Sequence, residues 1–72
     1  MKIIRNGRVI AELPDKPKTF EGWRDGTAIH IYINNADYQI AKYSTAERAD
    51  EVRDNLFRQY LGGAKSFILP DE

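Results

Sequence analysis

Hydrophobic residues along this chain repeat with two periods, which separate its strands from its helix. Residues 29–33 alternate as Ile-His-Ile-Tyr-Ile, the two-residue period of a strand with one buried face. From residue 46 onward, apolar residues recur at steps of three and four, which is the period of one helix face. The pattern therefore predicts one helix, from about Thr45 to Leu61. Its apolar stripe is Ala46, Ala49, Val52, Leu56 and Tyr60.

The start of this helix carries a motif typical of a helix N-terminus. Ser44 lies three residues before Glu47, so its hydroxyl can accept a hydrogen bond from the Glu47 N–H while the glutamate reaches back to the serine N–H. The spacing predicts a capping box with Ser44 as the N-cap. Gly62 and Gly63 predict the end of the helix, because glycine adopts the left-handed cap conformation without steric cost.

Turn residues divide the other segments into strands. The Asn-Gly pair at 6–7 and the Asp-Gly pair at 25–26 each predict a tight hairpin, the second pairing Trp23 with Ala28. Residues 34–37 predict a further turn, because Asn and Asp tolerate the left-handed conformation. The predicted strands lie within residues 2–12, 19–33, 38–43 and 64–69.

These elements predict one α+β domain over residues 1–72. We expect an antiparallel sheet of about five to six strands, made of hairpins and a meander, with one C-terminal helix packed on one face. Between the hairpins, Pro14 and Pro17 cannot donate to a sheet ladder. We interpret this segment as a rigid connector; the alternative is a polyproline II ligand for a partner domain.

The predicted registers divide the meander into two faces, since successive side chains of a strand point to opposite sides. One helix covers about 10 Å of width, so we expect it to cover the apolar face only. The apolar face carries Phe20, Ile29, Ile31, Ile33, Tyr38 and Ile40. The other carries Glu21, Trp23, Ala28, His30, Tyr32, Gln39, Ala41 and Tyr43.

The uncovered face carries the candidate partner-binding residues Trp23, His30, Tyr32 and Tyr43. Trp and Tyr combine a large contact area with a polar group and are enriched at interface hot spots. Two interpretations stay open. The aromatic residues either stiffen an exposed sheet or pack under the N-terminal hairpin, or they bind a partner protein or a second copy.

Composition and charge narrow the classes of function. The 72 residues carry 11 basic and 11 acidic side chains, a balance that disfavours the phosphate neutralisation on which nucleic-acid binding depends. With no cysteine and one histidine, the usual ligands of a zinc site are missing. No apolar segment reaches the length of a signal peptide or a membrane span. We expect a cytoplasmic protein without membrane association.

The sequence shows no set of residues typical of catalysis. His30 has no nucleophile or orienting carboxylate assigned to it, and no glycine loop with a lysine opens a helix. We predict that the chain is not an enzyme. We predict no catalytic residue, no metal and no small-molecule cofactor.

Two segments of the chain are Tyr-Ser-Thr-Ala-Glu-Arg-Ala at 43–49 and Phe-Ile-Leu-Pro-Asp-Glu at 67–72. They resemble the corresponding segments of a group of small uncharacterised proteins of Gram-positive bacteria and their phages. The similarity covers roughly the last third of the chain, and residues 14–26 depart from it. The resemblance implies a bacterial or prophage cytoplasmic protein and carries no activity with it.

Together these features predict a small protein-binding or self-associating module. One form would be an inhibitor of a host protein. The alternative is a nucleic-acid-binding accessory protein that uses the same aromatic residues with Arg5, Arg8 and Arg24.

Overall fold

The computed structural model describes residues 1–15 and 20–71, in which six strands and one helix form an α+β fold. The predicted fold class is therefore confirmed. Pro17 and the side chain of Phe20 lie outside the described part of the chain. The elements are β1 (Lys2–Arg5), β2 (Arg8–Glu12), β3 (Phe20–Asp25), β4 (Ala28–Ile33), β5 (Ala36–Lys42), α1 (Ala46–Leu61) and β6 (Ser66–Ile68).

The strands form two three-stranded sheets, so the predicted sheet of five to six strands is divided in two. The meander β3-β4-β5 is antiparallel throughout. The first hairpin instead pairs with the last strand, in the order β2-β1-β6, and β6 runs parallel to β1. Because β2 and β6 occupy both edges of β1, β1 has no edge left for a strand of the meander.

Side chains from both sheets and the helix share one core. Ile3 of β1, Ile29 and Ile31 of β4 and Leu56 of α1 are fully buried. The helix buries Ala49, Val52, Leu56 and Tyr60, which confirms the predicted helix and four of the five residues of its apolar stripe; Ala46 is half-buried. The helix therefore lies between the sheets' apolar faces and solvent.

The predicted capping box at Ser44 is wrong, because the N-cap is Thr45. The Thr45 side-chain oxygen accepts a hydrogen bond from the Arg48 N–H at 3.1 Å. Ser44 and Thr45 each lie three residues before an N–H of the first turn, so this spacing does not choose between them. The helix begins at Ala46, and Thr45 directly before it is the cap, one residue later than the motif indicated.

The helix packs closely on β3 at a position without a side chain. A Cβ atom added to Gly22 would lie 1.4 Å from Cζ of Phe57, so the phenylalanine ring occupies the space above the glycine. Two residues farther along β3, Nε of Arg24 donates to Oδ1 of Asp50 at 2.7 Å. Gly22 and Arg24 therefore lie on the face of the meander that the helix covers.

We expect replacement of Gly22 with alanine to lower the free energy of unfolding by about 1–3 kcal/mol, because the new methyl group displaces the Phe57 ring. Chemical denaturation measures the change. The matched control repeats the substitution in a Phe57→Leu background, where the shorter side chain lacks the ring tip that reaches Gly22. If Gly22→Ala lowered the free energy of unfolding equally in both backgrounds, the contact with the Phe57 ring would not be the cause of the destabilisation.

Tyr60 connects the helix to the segment that follows the first hairpin. Its hydroxyl donates a hydrogen bond to the carbonyl oxygen of Pro14. Burial, and to a smaller extent the negative charge of Asp15, raises the pKa of Tyr60 above its usual value of 10.0. The folded state therefore favours the neutral phenol. This contribution to stability is complete below pH values of about 10 and is lost as the pH rises through the raised pKa of the folded protein.

We expect Tyr60→Phe to lower the free energy of unfolding by about 0.5–1.5 kcal/mol at neutral pH, because the hydrogen bond to Pro14 is lost. Above a pH of about 10 the difference in free energy of unfolding between wild type and variant should become smaller, since only the wild type must keep the phenol protonated. Urea denaturation from neutral to strongly alkaline pH measures this difference. A difference that stays constant with pH would contradict this assignment.

Candidate functional site

The register of the meander arranges six side chains in two rows on the face away from the helix. In one row Tyr32 of β4 lies between Glu21 of β3 and Asp37 of β5. In the next row His30 lies between neighbours from the same two outer strands. We call this surface the open face; it consists of Glu21, Trp23, His30, Tyr32, Asp37 and Gln39.

The turn between β3 and β4 differs from the prediction. Asp25 pairs with Ala28, so the turn residues are Gly26 and Thr27, with φ at +60° for Gly26. Trp23 therefore pairs with His30 and not with Ala28. The residue opposite Trp23 is thus two positions farther along β4 than predicted. Two positions are one full side-chain period, so the residues keep their predicted faces. The predicted grouping of Trp23, His30 and Tyr32 on one face is correct.

The turn between β4 and β5 is shorter than predicted. Asn34 and Asn35 have φ of 50° and 69°, the pair of positive values that a two-residue type I′ turn requires. Asp37, which the four-residue turn of the prediction contained, instead belongs to β5 and lies opposite Tyr32. Sequence reasoning therefore missed Asp37 as a member of the site. The Asn-Asn pair was the signal that could have found it.

His30 is held from both sides on the open face. Its ring stacks on the Trp23 ring with centroids 4.3 Å apart and an interplanar angle of 21°. On the other side its Nδ1 lies 3.2 Å from Oδ2 of Asp37. With these contacts only 14 % of the His30 side chain is exposed, so its main role on this face is to hold the Trp23 ring in place.

Trp23 and Tyr32 form the accessible part of the open face. They are 39 % and 37 % exposed, so they do not pack beneath the N-terminal hairpin. The Tyr32 hydroxyl donates to Oδ1 of Asn35 at 3.3 Å, which fixes one end of the phenol ring. The two rings line a shallow depression together with the carboxylates of Glu21 and Asp37.

Tyr43 does not lie on the open face, which corrects the prediction. Ile29 pairs with Ala41 whereas His30 pairs with Gln39, so Ile40 is an extra residue in a β-bulge. The bulge reverses the side-chain alternation after it, and Ala41 and Tyr43 are buried instead of exposed. The Tyr43 hydroxyl donates to the carbonyl oxygen of Pro70 at 2.8 Å. Tyr43 thus joins the meander to the segment after β6.

Tyr38 also departs from its predicted environment. It pairs with Ile31 and so shares the face that carries the buried isoleucines, yet it is 48 % exposed. The helix contacts β3 and β4, while β5 lies at the edge of the sheet. An apolar-face position on β5 is therefore beyond the width that one helix covers.

The arginines proposed for nucleic-acid binding do not meet the aromatic residues. Arg24 lies on the helix side of β3 in an ion pair with Asp50. Arg5 and Arg8 pair with each other at the turn of the first hairpin, in the other sheet. The charged groups nearest Trp23 and Tyr32 are instead the carboxylates of the open face, whose charge repels phosphate.

Other classes of site find no support among the described residues. No three of their histidine, aspartate and glutamate side chains converge as metal ligands. No helix in the described part of the chain is both long enough and apolar enough to cross a membrane. Comparisons with protein-family models, curated proteins and solved structures found no match for this chain. The resemblance at residues 43–49 and 67–72 therefore stays a prediction.

Proposed function

We propose that this chain is a small, non-enzymatic protein-binding module that docks a partner protein on its open face. The observation that carries the proposal is the exposure of Trp23 and Tyr32 side by side on a sheet, at 39 % and 37 %. Large aromatic residues that are accessible before binding and buried after it contribute most to protein interfaces. A bacterial or prophage cytoplasmic origin, which the resemblance implies, belongs to the same proposal.

The scaffold beneath the aromatic residues supports this function. Trp23 stacks on His30, and Tyr32 is tethered through its hydroxyl to Asn35. Side chains that are already held in place lose little conformational entropy when a partner binds. The opposite face of the same strands packs into the core through Ile29 and Ile31, which keeps the sheet rigid.

The charges of the open face favour a different protein over a second copy as the partner. Glu21 and Asp37 both lie beside the exposed rings. If two copies met through this face, four carboxylates would come together at one interface, and like charges in an interface are unfavourable. A partner of complementary charge avoids that repulsion.

To test the proposal, a photo-crosslinking amino acid is placed at Gln39, on the open face. The variant is then irradiated in an extract of the cells whose genome encodes the chain. The control places the same amino acid at Gln59, on the exposed side of the helix. We expect a protein to be crosslinked from position 39 only. With that protein purified, Trp23→Ala and Tyr32→Ala should each weaken its binding about 30-fold, as truncations of hot-spot residues do.

Tyr38→Ala is the matched control for these substitutions. Tyr38 is a somewhat more exposed aromatic residue of the same sheet, but it lies on the opposite face. Its removal should leave the affinity unchanged. Binding that survives Trp23→Ala and Tyr32→Ala together, with the circular dichroism of wild type, would contradict the proposal. A nucleic-acid crosslink from position 39, with affinity falling steeply as salt rises, would favour the nucleic-acid alternative.

A further inference from the structure

The depression on the open face combines two kinds of group that both attract cations. Trp23 and Tyr32 present exposed aromatic rings, and Glu21 and Asp37 present carboxylates at the edges of the same depression. The face of an aromatic ring carries partial negative charge and binds a cation placed above it. Rings and carboxylates therefore favour the same ligand, a positively charged group.

The register gives the dimensions of this depression. Glu21, Tyr32 and Asp37 lie directly across from one another on three adjacent strands. Neighbouring strands are about 4.8 Å apart, so the two acidic residues are separated by about 10 Å along the sheet, with the Tyr32 ring between them. Trp23 follows Glu21 by two residues and so lies about 7 Å along β3. These spacings are of the same order as the reach of a guanidinium group and its hydrogen bonds, roughly 7–8 Å across.

The carboxylates are available to a ligand. The Glu21 side chain makes no hydrogen bond or ion pair with any residue in the described part of the chain. Asp37 contacts Nδ1 of His30 through Oδ2, and its side chain is 46 % exposed. Of the nearby cations that the structure describes, Arg24 is engaged by Asp50 on the opposite face, and Lys42 lies two rows away, beside Ala28.

We propose that this depression binds an arginine side chain of a partner protein. The guanidinium plane stacks on the Trp23 and Tyr32 rings, and its N–H groups donate hydrogen bonds to the carboxylates of Glu21 and Asp37. Arginine fits better than lysine, because its planar, weakly hydrated cation stacks on aromatic rings and presents several donors in one plane. This inference rests on the proposed function and specifies the chemistry of the partner.

The test uses a short peptide, acetyl-Gly-Ser-Gly-Arg-Gly-Ser-Gly-amide, and the same peptide with citrulline, which has the shape of arginine without its charge. Trp23 is the only tryptophan of the chain, so its fluorescence reports on this site alone. Amide chemical shifts of the full chain give a second measure of binding. We expect the arginine peptide to bind about 5- to 30-fold more tightly than the citrulline peptide.

Glu21→Gln together with Asp37→Asn should reduce this ratio to near one. The control is Glu51→Gln together with Asp54→Asn, which makes the same change of charge on the exposed side of the helix and should leave the ratio unchanged. Equal affinity for the two peptides, or a ratio that survives the loss of Glu21 and Asp37, would overturn the inference. Self-association of the wild-type chain that is abolished by Trp23→Ala and Tyr32→Ala would also overturn it, by showing a second copy on the face.

The two proposals can fail separately. If a partner crosslinks from Gln39 but its affinity does not depend on Glu21 and Asp37, the open face is an interface and the arginine inference is wrong. If the arginine peptide binds with the expected ratio but no partner crosslinks from Gln39, the chemistry of the depression is correct and the proposed protein-binding function is wrong.

Discussion

A single helix can cover only one face of the meander, and the rest of the structure depends on this constraint. The ring of Phe57 lies directly over Gly22, so the helix approaches β3 closely and buries Ile29 and Ile31 of the neighbouring strand. Because the helix width is about 10 Å, the opposite face of the same strands stays accessible to solvent. The packing that builds the core therefore also creates the open face.

The environment of β5, at the edge of the meander, follows from the limited width of the helix. β5 lies beyond the helix, which leaves Tyr38 exposed, and the bulge at Ile40 then turns the end of this strand inward. Through the bulge, Tyr43 reaches the core and donates to the carbonyl oxygen of Pro70. The bulge thus removes one aromatic residue from the open face and places it in a contact that joins the meander to the segment after β6.

The open face carries exposed aromatic rings with carboxylates beside them. Trp23 and Tyr32 are exposed rings, His30 stacks on Trp23, and Glu21 and Asp37 lie beside the two rings. Arg24, one residue from Trp23 in the chain, points to the other side of the sheet and pairs with Asp50. Arg24 and its partner Asp50 therefore lie on the helix side, and the acidic residues beside Trp23 and Tyr32 are left on the open face.

The sequence by itself determined the helix, the strands and the grouping of Trp23, His30 and Tyr32, because these depend on local periods of 3.6 and two residues. The grouping was correct although the turn was assigned wrongly. The residue opposite Trp23 is two positions farther along β4 than predicted, and residues two positions apart lie on the same face. Only the tertiary structure decided the bulge at Ile40, the burial of Tyr43 and the pairing of β1 with β6. Each of these depends on contacts between residues far apart in the chain, which no local period records.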